Sequence, residues 1–267
     1  MRLLALLLAL FPTLAWAGAW TLPKGSQELY LTGSYYKTDE YFNQSGNETD
    51  IPDFSKWELN PYYQYGFMDG LTLGVSAFLQ QISQDKSFSG GEDSNWGLGN
   101  TEVFARWRAY RNNNWVVSLQ PLLALPTYYA EDDPRAGRDD FDTELKGLVG
   151  YNFEAMGRHH FIDGGFGYRY RLGDEGNQWK ANVTLGITLD ERWTILPEID
   201  ITRATDEDSN NAVSVAGTND YDLTKLQLSG AYKWDDHYTF QLGAFNHVDG
   251  KNTGSGGGVL FSVWMRY

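Results

Sequence analysis

The last nine residues of the chain alternate in polarity and finish on an aromatic residue. One face of this segment is apolar at every second position: Val259, Phe261, Val263, Met265 and Tyr267. The opposite face carries Ser262 and Arg266. A transmembrane β-barrel must pair its first strand with its last, because an open sheet edge leaves backbone groups unbonded in lipid. The pattern predicts such a closing strand, through which we expect the barrel-assembly machinery to bind the chain.

The N-terminus has the composition of a secretory signal peptide. Arg2 precedes an apolar run over residues 3–11, and the small-x-small sequence Ala-Trp-Ala follows at 15–17. Such a segment is removed on export. Its apolar core is too short for a membrane helix, which needs roughly 20 residues. We therefore predict a signal peptide at 1–17 and a single mature domain at 18–267.

The composition excludes some chemistries and favours a barrel. The chain contains no cysteine, which rules out thiol nucleophiles and thiolate metal sites. Its mean hydropathy is only −0.47, although 15% of its residues are aromatic. Barrel strands alternate lipid-facing and lumen-facing side chains, so that averaged hydropathy stays low while aromatic residues gather at both membrane interfaces. We predict a protein of the bacterial outer membrane that contacts lipid and lipopolysaccharide, with no cofactor and no nucleic-acid partner.

Alternating polarity recurs along the mature chain. It predicts twelve strands, at 27–37, 56–65, 71–82, 99–110, 115–127, 141–151, 161–171, 179–188, 193–204, 221–233, 237–248 and 259–267. An even number of strands places both termini in the periplasm. The predicted fold is all-β, a single antiparallel transmembrane β-barrel of about 12 strands, with short periplasmic turns and long acidic extracellular loops.

Acidic residues gather in the predicted outer loops. They are Asp39, Glu40, Glu48, Asp50, Asp53, Glu131, Asp132, Asp133, Asp206, Glu207 and Asp208. A negative mouth would concentrate cations at low salt, and it could also bind divalent ions shared with lipopolysaccharide. The alternative is a solvated loop surface without a binding role.

Ionisable residues of both signs fall on the inward-facing positions. The lumen-lining candidates are Glu58, Glu102, Arg106, Arg108, Asp142, Glu144, Lys146, Asp163, Arg169, Lys180, Glu198, Asp200, Lys225 and Arg266. Charges inside a barrel must be paired or hydrated, because an isolated buried ion is very unfavourable. Two interpretations follow. The residues form either a ladder of ion pairs that fills a narrow barrel or a polar constriction that passes solute.

Three prolines lie in the middle of predicted strands, at Pro61, Pro121 and Pro197. Each removes one hydrogen bond from a ladder. Local bulges are the simpler explanation. The alternative is a weakened seam that lets a hydrophobic solute leave the barrel sideways into the membrane.

The sequence contains no recognisable hydrolase motif. Four histidines are the candidates for a catalytic base, and only His247 lies near a predicted outer strand end, without an evident serine partner. We therefore predict that the protein is not an enzyme. Its predicted role is the passage of small molecules. A structural or adhesive barrel and an outer-membrane lipid-modifying enzyme are the alternatives.

Several segments of the chain resemble a known family. They are Gly97-Leu98-Gly99-Asn100-Thr101-Glu102, Leu125-Pro126-Thr127, Tyr221-Asp222-Leu223-Thr224-Lys225-Leu226-Gln227-Leu228-Ser229 and Gly250-Lys251-Asn252-Thr253-Gly254. Together they look like segments of the outer-membrane proteins catalogued as meta-pathway phenol-degradation proteins. The resemblance spans most of the mature chain. It implies a pore or transporter for aromatic or hydrophobic compounds, and it transfers no catalytic residues.

Overall fold

The computed structural model describes residues 18–85, 91–127, 137–138, 140–173, 176–205 and 220–267. Within these residues, twelve antiparallel strands form one closed sheet. Three of the strands are each interrupted once. The strands are β1 (Gln27–Phe42), β2 (Glu48–Met68), β3 (Leu71–Ser76 and Leu79–Asp85), β4 (Glu92–Leu98 and Thr101–Arg111), β5 (Trp115–Leu125), β6 (Asp142–Ala155), β7 (Arg158–Arg171), β8 (Gln178–Thr188), β9 (Trp193–Ala204), β10 (Asp222–Lys233), β11 (Tyr238–Lys251) and β12 (Thr253–Gly254 and Gly257–Arg266).

The barrel closes between β1 and β12. Leu29 lies opposite Met265 and Tyr35 lies opposite Val259 in this antiparallel pair. The backbone of Tyr267 exchanges two hydrogen bonds with Gln27, of 3.0 and 2.9 Å. The predicted twelve-stranded antiparallel barrel is confirmed, because every strand of the closed sheet pairs on both sides.

The first outer connection is shorter than the sequence predicts. The polar segment 38–55 forms paired strand instead of a long loop, and Tyr41 lies opposite Thr49. Asn43 closes the hairpin, since its Oδ1 accepts hydrogen bonds from the amides of Ser45 (2.9 Å) and Asn47 (3.1 Å). Backbone pairing continues beyond the membrane because it does not depend on apolar side chains. The acidic residues at 131–133 and 206–208 lie outside the described residues.

Three of the short periplasmic turns have the same side-chain to backbone hydrogen-bond pattern. The carboxyl or amide oxygen of the first turn residue accepts from the backbone amides two and three positions later, at 2.7–2.9 Å. The acceptors are Asn112, Asp190 and Asp235. The residue three positions after each acceptor is an aromatic at the membrane interface: Trp115, Trp193 and Tyr238. These amide bonds lower the pKa of the Asp190 carboxyl, because they stabilise its charged form.

The outer surface of the barrel is apolar. Large hydrophobic side chains project from it and are exposed, among them Leu145, Phe166, Val183, Leu228, Leu242 and Phe261. No helix among the described residues is long and apolar enough to cross a membrane. Lipid-facing and lumen-facing side chains alternate along each strand, so that every second residue points into the barrel.

Candidate functional site

A segment that precedes the first strand folds into the lumen. This segment, Gly18–Gly25, is called the plug below. It begins inside the barrel and leaves at the periplasmic rim, where the amide of Gly25 donates to the carbonyl of Gly66 (2.8 Å). Gly25 has a φ of +85°, a conformation that favours glycine. A side chain at Gly66 would overlap the carbonyl oxygen of Pro23. The plug therefore passes the rim at a point where the wall has no side chain.

Polar side chains of the wall hold the plug backbone. Thr72 accepts from the amide of Leu22 (2.8 Å), and Ser118 donates to the carbonyl of Ala19 (2.6 Å). Arg106 donates through Nη1 to the carbonyl of Trp20 (3.0 Å). The plug forms no ladder with the sheet, so these side chains supply hydrogen bonds that its buried backbone groups require.

Apolar packing fills the space around Trp20. Its ring meets Phe161 edge-on, with the ring centroids 5.8 Å apart. A Cβ atom on Gly150 would lie 2.7 Å from the same ring. Ala19 is fully buried against Val116 and Leu148. The plug thus occupies the periplasmic half of the lumen, a feature that alternating polarity could not reveal because the plug is not a strand.

A cavity of about 270 Å³ lies on the outer side of the plug. Arg106 contacts the plug and also lines the cavity, and Glu102 lies on the same strand four residues nearer the outer loops. The lining residues are Tyr62, Ser76, Phe78, Glu102, Phe104, Arg106, Gln120, Leu122, Glu144, Lys146, Arg169 and Lys180. One group of them is aromatic or aliphatic, a second group is ionised, and Ser76 and Gln120 are polar and neutral. The rings of Tyr62 and Phe104 are stacked, with their centroids 5.4 Å apart.

Arg169 organises the charges of the cavity wall. Its Nη2 lies 2.7 Å from Glu102 Oε1, and its Nε lies 2.8 Å from Glu144 Oε2. A weaker contact of 4.0 Å joins Nη1 to Asp142 Oδ2. Asp142 also pairs with Arg138, at 3.3 Å. One guanidinium therefore binds carboxylates from β4 and β6 while it is itself anchored on β7.

A second charged cluster lies outside the lining of this cavity. Lys225 pairs with Asp200 (2.9 Å), and its Nζ lies 5.7 Å from the ring centroid of Phe245. Thr184 donates to Glu198 (3.2 Å). Lys56 pairs with Glu58 at 3.2 Å. The lumen therefore contains both ion pairs and a cavity, so that it combines elements of the two interpretations drawn from the sequence.

The remaining lumen-lining candidates lie nearer the periplasmic end. Arg266 pairs with Glu28 at 3.2 Å. Arg108 lies beside Gly70 in the β2–β3 turn, and its amide donates to the Gly70 carbonyl. Asp163 lies against the start of the plug. Of the fourteen candidates, the structure brings six together around the cavity: Glu102, Arg106, Glu144, Lys146, Arg169 and Lys180.

The cavity lining carries more positive than negative charge. It contains the cations of Arg106, Lys146, Arg169 and Lys180 and the carboxylates of Glu102 and Glu144. Among the described residues, Lys180 has neither an ion-pair partner nor a hydrogen-bond partner. The lining therefore has an excess of two positive charges, which favours an anionic group inside the cavity.

The three mid-strand prolines all interrupt a ladder. The assigned pairing stops between β2 and β3 beside Pro61, between β4 and β5 beside Pro121, and between β8 and β9 beside Pro197. Inside the β4–β5 interruption, Arg106 Nε donates to Gln120 Oε1 (2.9 Å). The interruptions occur at three separate seams, and those at Pro61 and Pro121 adjoin the cavity.

The described residues do not form a metal-binding cluster. They contain no cluster of three or more histidine, aspartate or glutamate side chains that could hold an ion. The acidic residues of the described outer hairpin include Asp53, which pairs with Lys37 at 2.7 Å.

Comparison with known proteins identifies the class of fold. No protein-family model and no curated protein matches the chain. A crystal structure of an outer-membrane channel from Pseudomonas putida F1 matches with a TM-score of 0.75 and 13% identity, covering 95% of this chain and 99% of that one. The translocator domain of the autotransporter NalP from Neisseria meningitidis matches with a TM-score of 0.52 and 10% identity, covering 92% and 89% respectively.

The NanC porin is a further structural neighbour, with a TM-score of 0.52 and 8% identity over 88% of this chain and 97% of that one. At such identities the likeness shows the fold alone. The resemblance to phenol-degradation proteins therefore stays a prediction. The closed twelve-stranded sheet, its apolar outer surface and these neighbours together show that the chain is a β-barrel of the bacterial outer membrane.

Proposed function

We propose that the protein is an outer-membrane channel or transporter for small amphipathic molecules, and that it favours organic anions with an aromatic or apolar body. The observation that carries this proposal is the cavity above the plug. One part of its lining is formed by Tyr62, Phe78 and Phe104, and another part by Lys180, which forms no ion pair or hydrogen bond with the described residues. An aromatic carboxylate would satisfy both parts at once.

The charge of the cavity argues against simple cation passage. Negative loops at the mouth would concentrate cations, but a cation that reached the cavity would meet an excess of positive charge. An anion would be attracted there. The ring of a bound solute would meanwhile bury apolar surface against Phe104 and Tyr62, which is favourable in proportion to the area removed from water.

The plug determines how a bound solute could leave. It fills the periplasmic half of the lumen through Ala19 and Trp20. Passage into the periplasm therefore requires the plug to move, whereas a lateral exit requires an opening at a strand seam. The two routes give different expectations for mutations in the wall.

Substitution of Lys180 tests the solute class. Benzoate is the probe, added to single channels of the mature barrel in a planar bilayer. We expect benzoate to bind and interrupt the chloride current, and Lys180→Gln to weaken its apparent affinity by about tenfold or more, since a hydrogen bond to a charged group contributes roughly 1.5–3 kcal/mol. The matched control is Lys233→Gln, because Lys233 pairs with Asp236 at a periplasmic turn. Equal benzoate affinity in all three proteins would contradict the anion site.

Substitution of Pro121 tests the lateral route. Pro121→Ala restores a backbone amide that can complete the β4–β5 ladder. If solute leaves through this seam, uptake of a neutral hydrophobic compound such as toluene should fall several-fold. Pro197→Ala is the control, because it repairs the interruption of the β8–β9 ladder beside Pro197, where no residue lines the cavity. Unchanged uptake in the Pro121 variant would exclude the β4–β5 seam and leave the β2–β3 seam beside Pro61 or plug movement as the route.

A further inference from the structure

An aspartate deep in the lumen lacks a partner. Asp163 projects inward from β7, and only 4% of it is exposed. Among the described residues, none donates a hydrogen bond to it or forms an ion pair with it. Arg106 is the cation whose field reaches its carboxylate, but that guanidinium is already bonded to Gln120, Trp20, Gln64 and Tyr62.

The carboxylate of Asp163 faces the first residue of the plug. A Cβ atom built on Gly18 would lie 2.6 Å from Asp163 Cγ and 2.7 and 2.8 Å from its two oxygens. Any side chain at this position would therefore collide with the carboxylate. The nitrogen of Gly18 is one bond from the same Cα, so that it can reach the carboxylate by rotation of the glycine backbone.

We propose that Gly18 becomes the N-terminus of the mature protein and that its α-ammonium group pairs with Asp163, which anchors the plug in the lumen. Hydrolysis of the Ala17–Gly18 peptide bond by a signal peptidase consumes one water. It leaves a carboxylate on Ala17 and an amine on Gly18, which takes up a proton near neutral pH. The inference rests on the predicted signal peptide and is independent of the transported solute.

Two independent observations point to the Ala17–Gly18 peptide bond. The small-x-small sequence at 15–17 places the cleavage site directly before Gly18. Independently, the fold places an unpaired buried carboxylate against Gly18. Leaving such a carboxylate buried and unpaired is strongly unfavourable, and a nearby ammonium group removes that cost. Before cleavage the same nitrogen is a neutral amide and cannot supply the charge, so processing and closure of the lumen are coupled.

The first test measures the N-terminal amine directly. The mature protein is isolated from outer membranes, and its N-terminal peptide is identified by mass spectrometry. The folded barrel is then treated at neutral pH with N-hydroxysuccinimidyl acetate, and acetylation of the Gly18 amine is followed over time. We expect Asp163→Asn to raise the acetylation rate at least tenfold over the wild-type protein. Asp236→Asn, which changes an exposed aspartate at a periplasmic turn, should leave it unchanged.

A second variant tests the proposal if Asp163→Asn does not fold. One glycine inserted between Ala17 and Gly18 keeps Asp163 intact and moves the new amine away by one residue. This protein should also be acetylated several-fold faster and should show more frequent channel opening. A mature N-terminus other than Gly18, or equal acetylation rates in the wild-type and inserted proteins, would overturn the proposal. Benzoate binding is not used as a readout, so the proposed function can fail without affecting this result.

Discussion

Replacement of Gly150 with valine is expected to raise the single-channel conductance several-fold. The structure leaves no room for a side chain at Gly150, because even a Cβ atom would lie 2.7 Å from the ring of Trp20. Trp20 is the largest side chain of the plug, and its ring packs against Phe161. Displacing it should move the plug out of the periplasmic half of the lumen. The measurement is the conductance of the purified variant in a planar bilayer.

Gly147 offers a matched control on the same strand. It faces the lipid side of β6, and a Cβ atom there would be 3.8 Å from the Phe166 carbonyl, an ordinary contact. Gly147→Val should therefore conduct like the wild-type protein. Heat-modifiable migration on gels should confirm that both variants are folded barrels. A Gly150→Val barrel with wild-type conductance would show that the plug does not limit ion flow.

Replacement of Arg169 with methionine is expected to lower the free energy of unfolding by about 3–5 kcal/mol, the usual consequence of removing one partner from a buried ion pair. Arg169 contacts Glu102 and Glu144 at 2.7 and 2.8 Å. Methionine keeps most of the side-chain volume but leaves both carboxylates without this cation. Equilibrium unfolding by urea in detergent micelles measures the change.

The control for Arg169→Met is Lys37→Met. Lys37 pairs with Asp53 at 2.7 Å, but both side chains are about half exposed, at 52% and 50%. Solvent screens such pairs, so that the expected loss is much smaller than for Arg169→Met. A loss of similar size in both variants would mean that the lumen charges are hydrated rather than dependent on Arg169.

The predictability of the fold differs between its parts. Strand positions followed from alternating polarity, since a transmembrane wall must present apolar residues to lipid at every second position. The ends of the strands were predicted less accurately from the sequence. The residues at 38–42 and 48–55 are polar, which resembles a loop, yet the two strands stay paired up to the turn at Asn43, with one register shift between Thr38 and Glu40.

The sequence pattern also does not predict which charged side chains pair with each other. The alternation of inward and outward positions along the strands placed Glu102 and Arg169 on the inner face. It did not predict that the two residues form an ion pair. Their ion pair joins residues 67 positions apart. It depends on strand register and on the curvature of the wall. Likewise, the sequence could not show that Lys180 lines the same cavity as Arg106, Lys146 and Arg169, which gives the lining its excess of positive charge.

By itself, the sequence determined the class of protein, the number of strands and the closing strand. These properties depend on local alternation and on a bilayer that admits few solutions. Only the tertiary structure decided that the residues after 17 turn back into the lumen. The contacts that hold them, such as those from Arg106 to Trp20 and from Ser118 to Ala19, span 86 and 99 residues. No short-range pattern encodes such contacts, because they exist only once the barrel has closed around the plug.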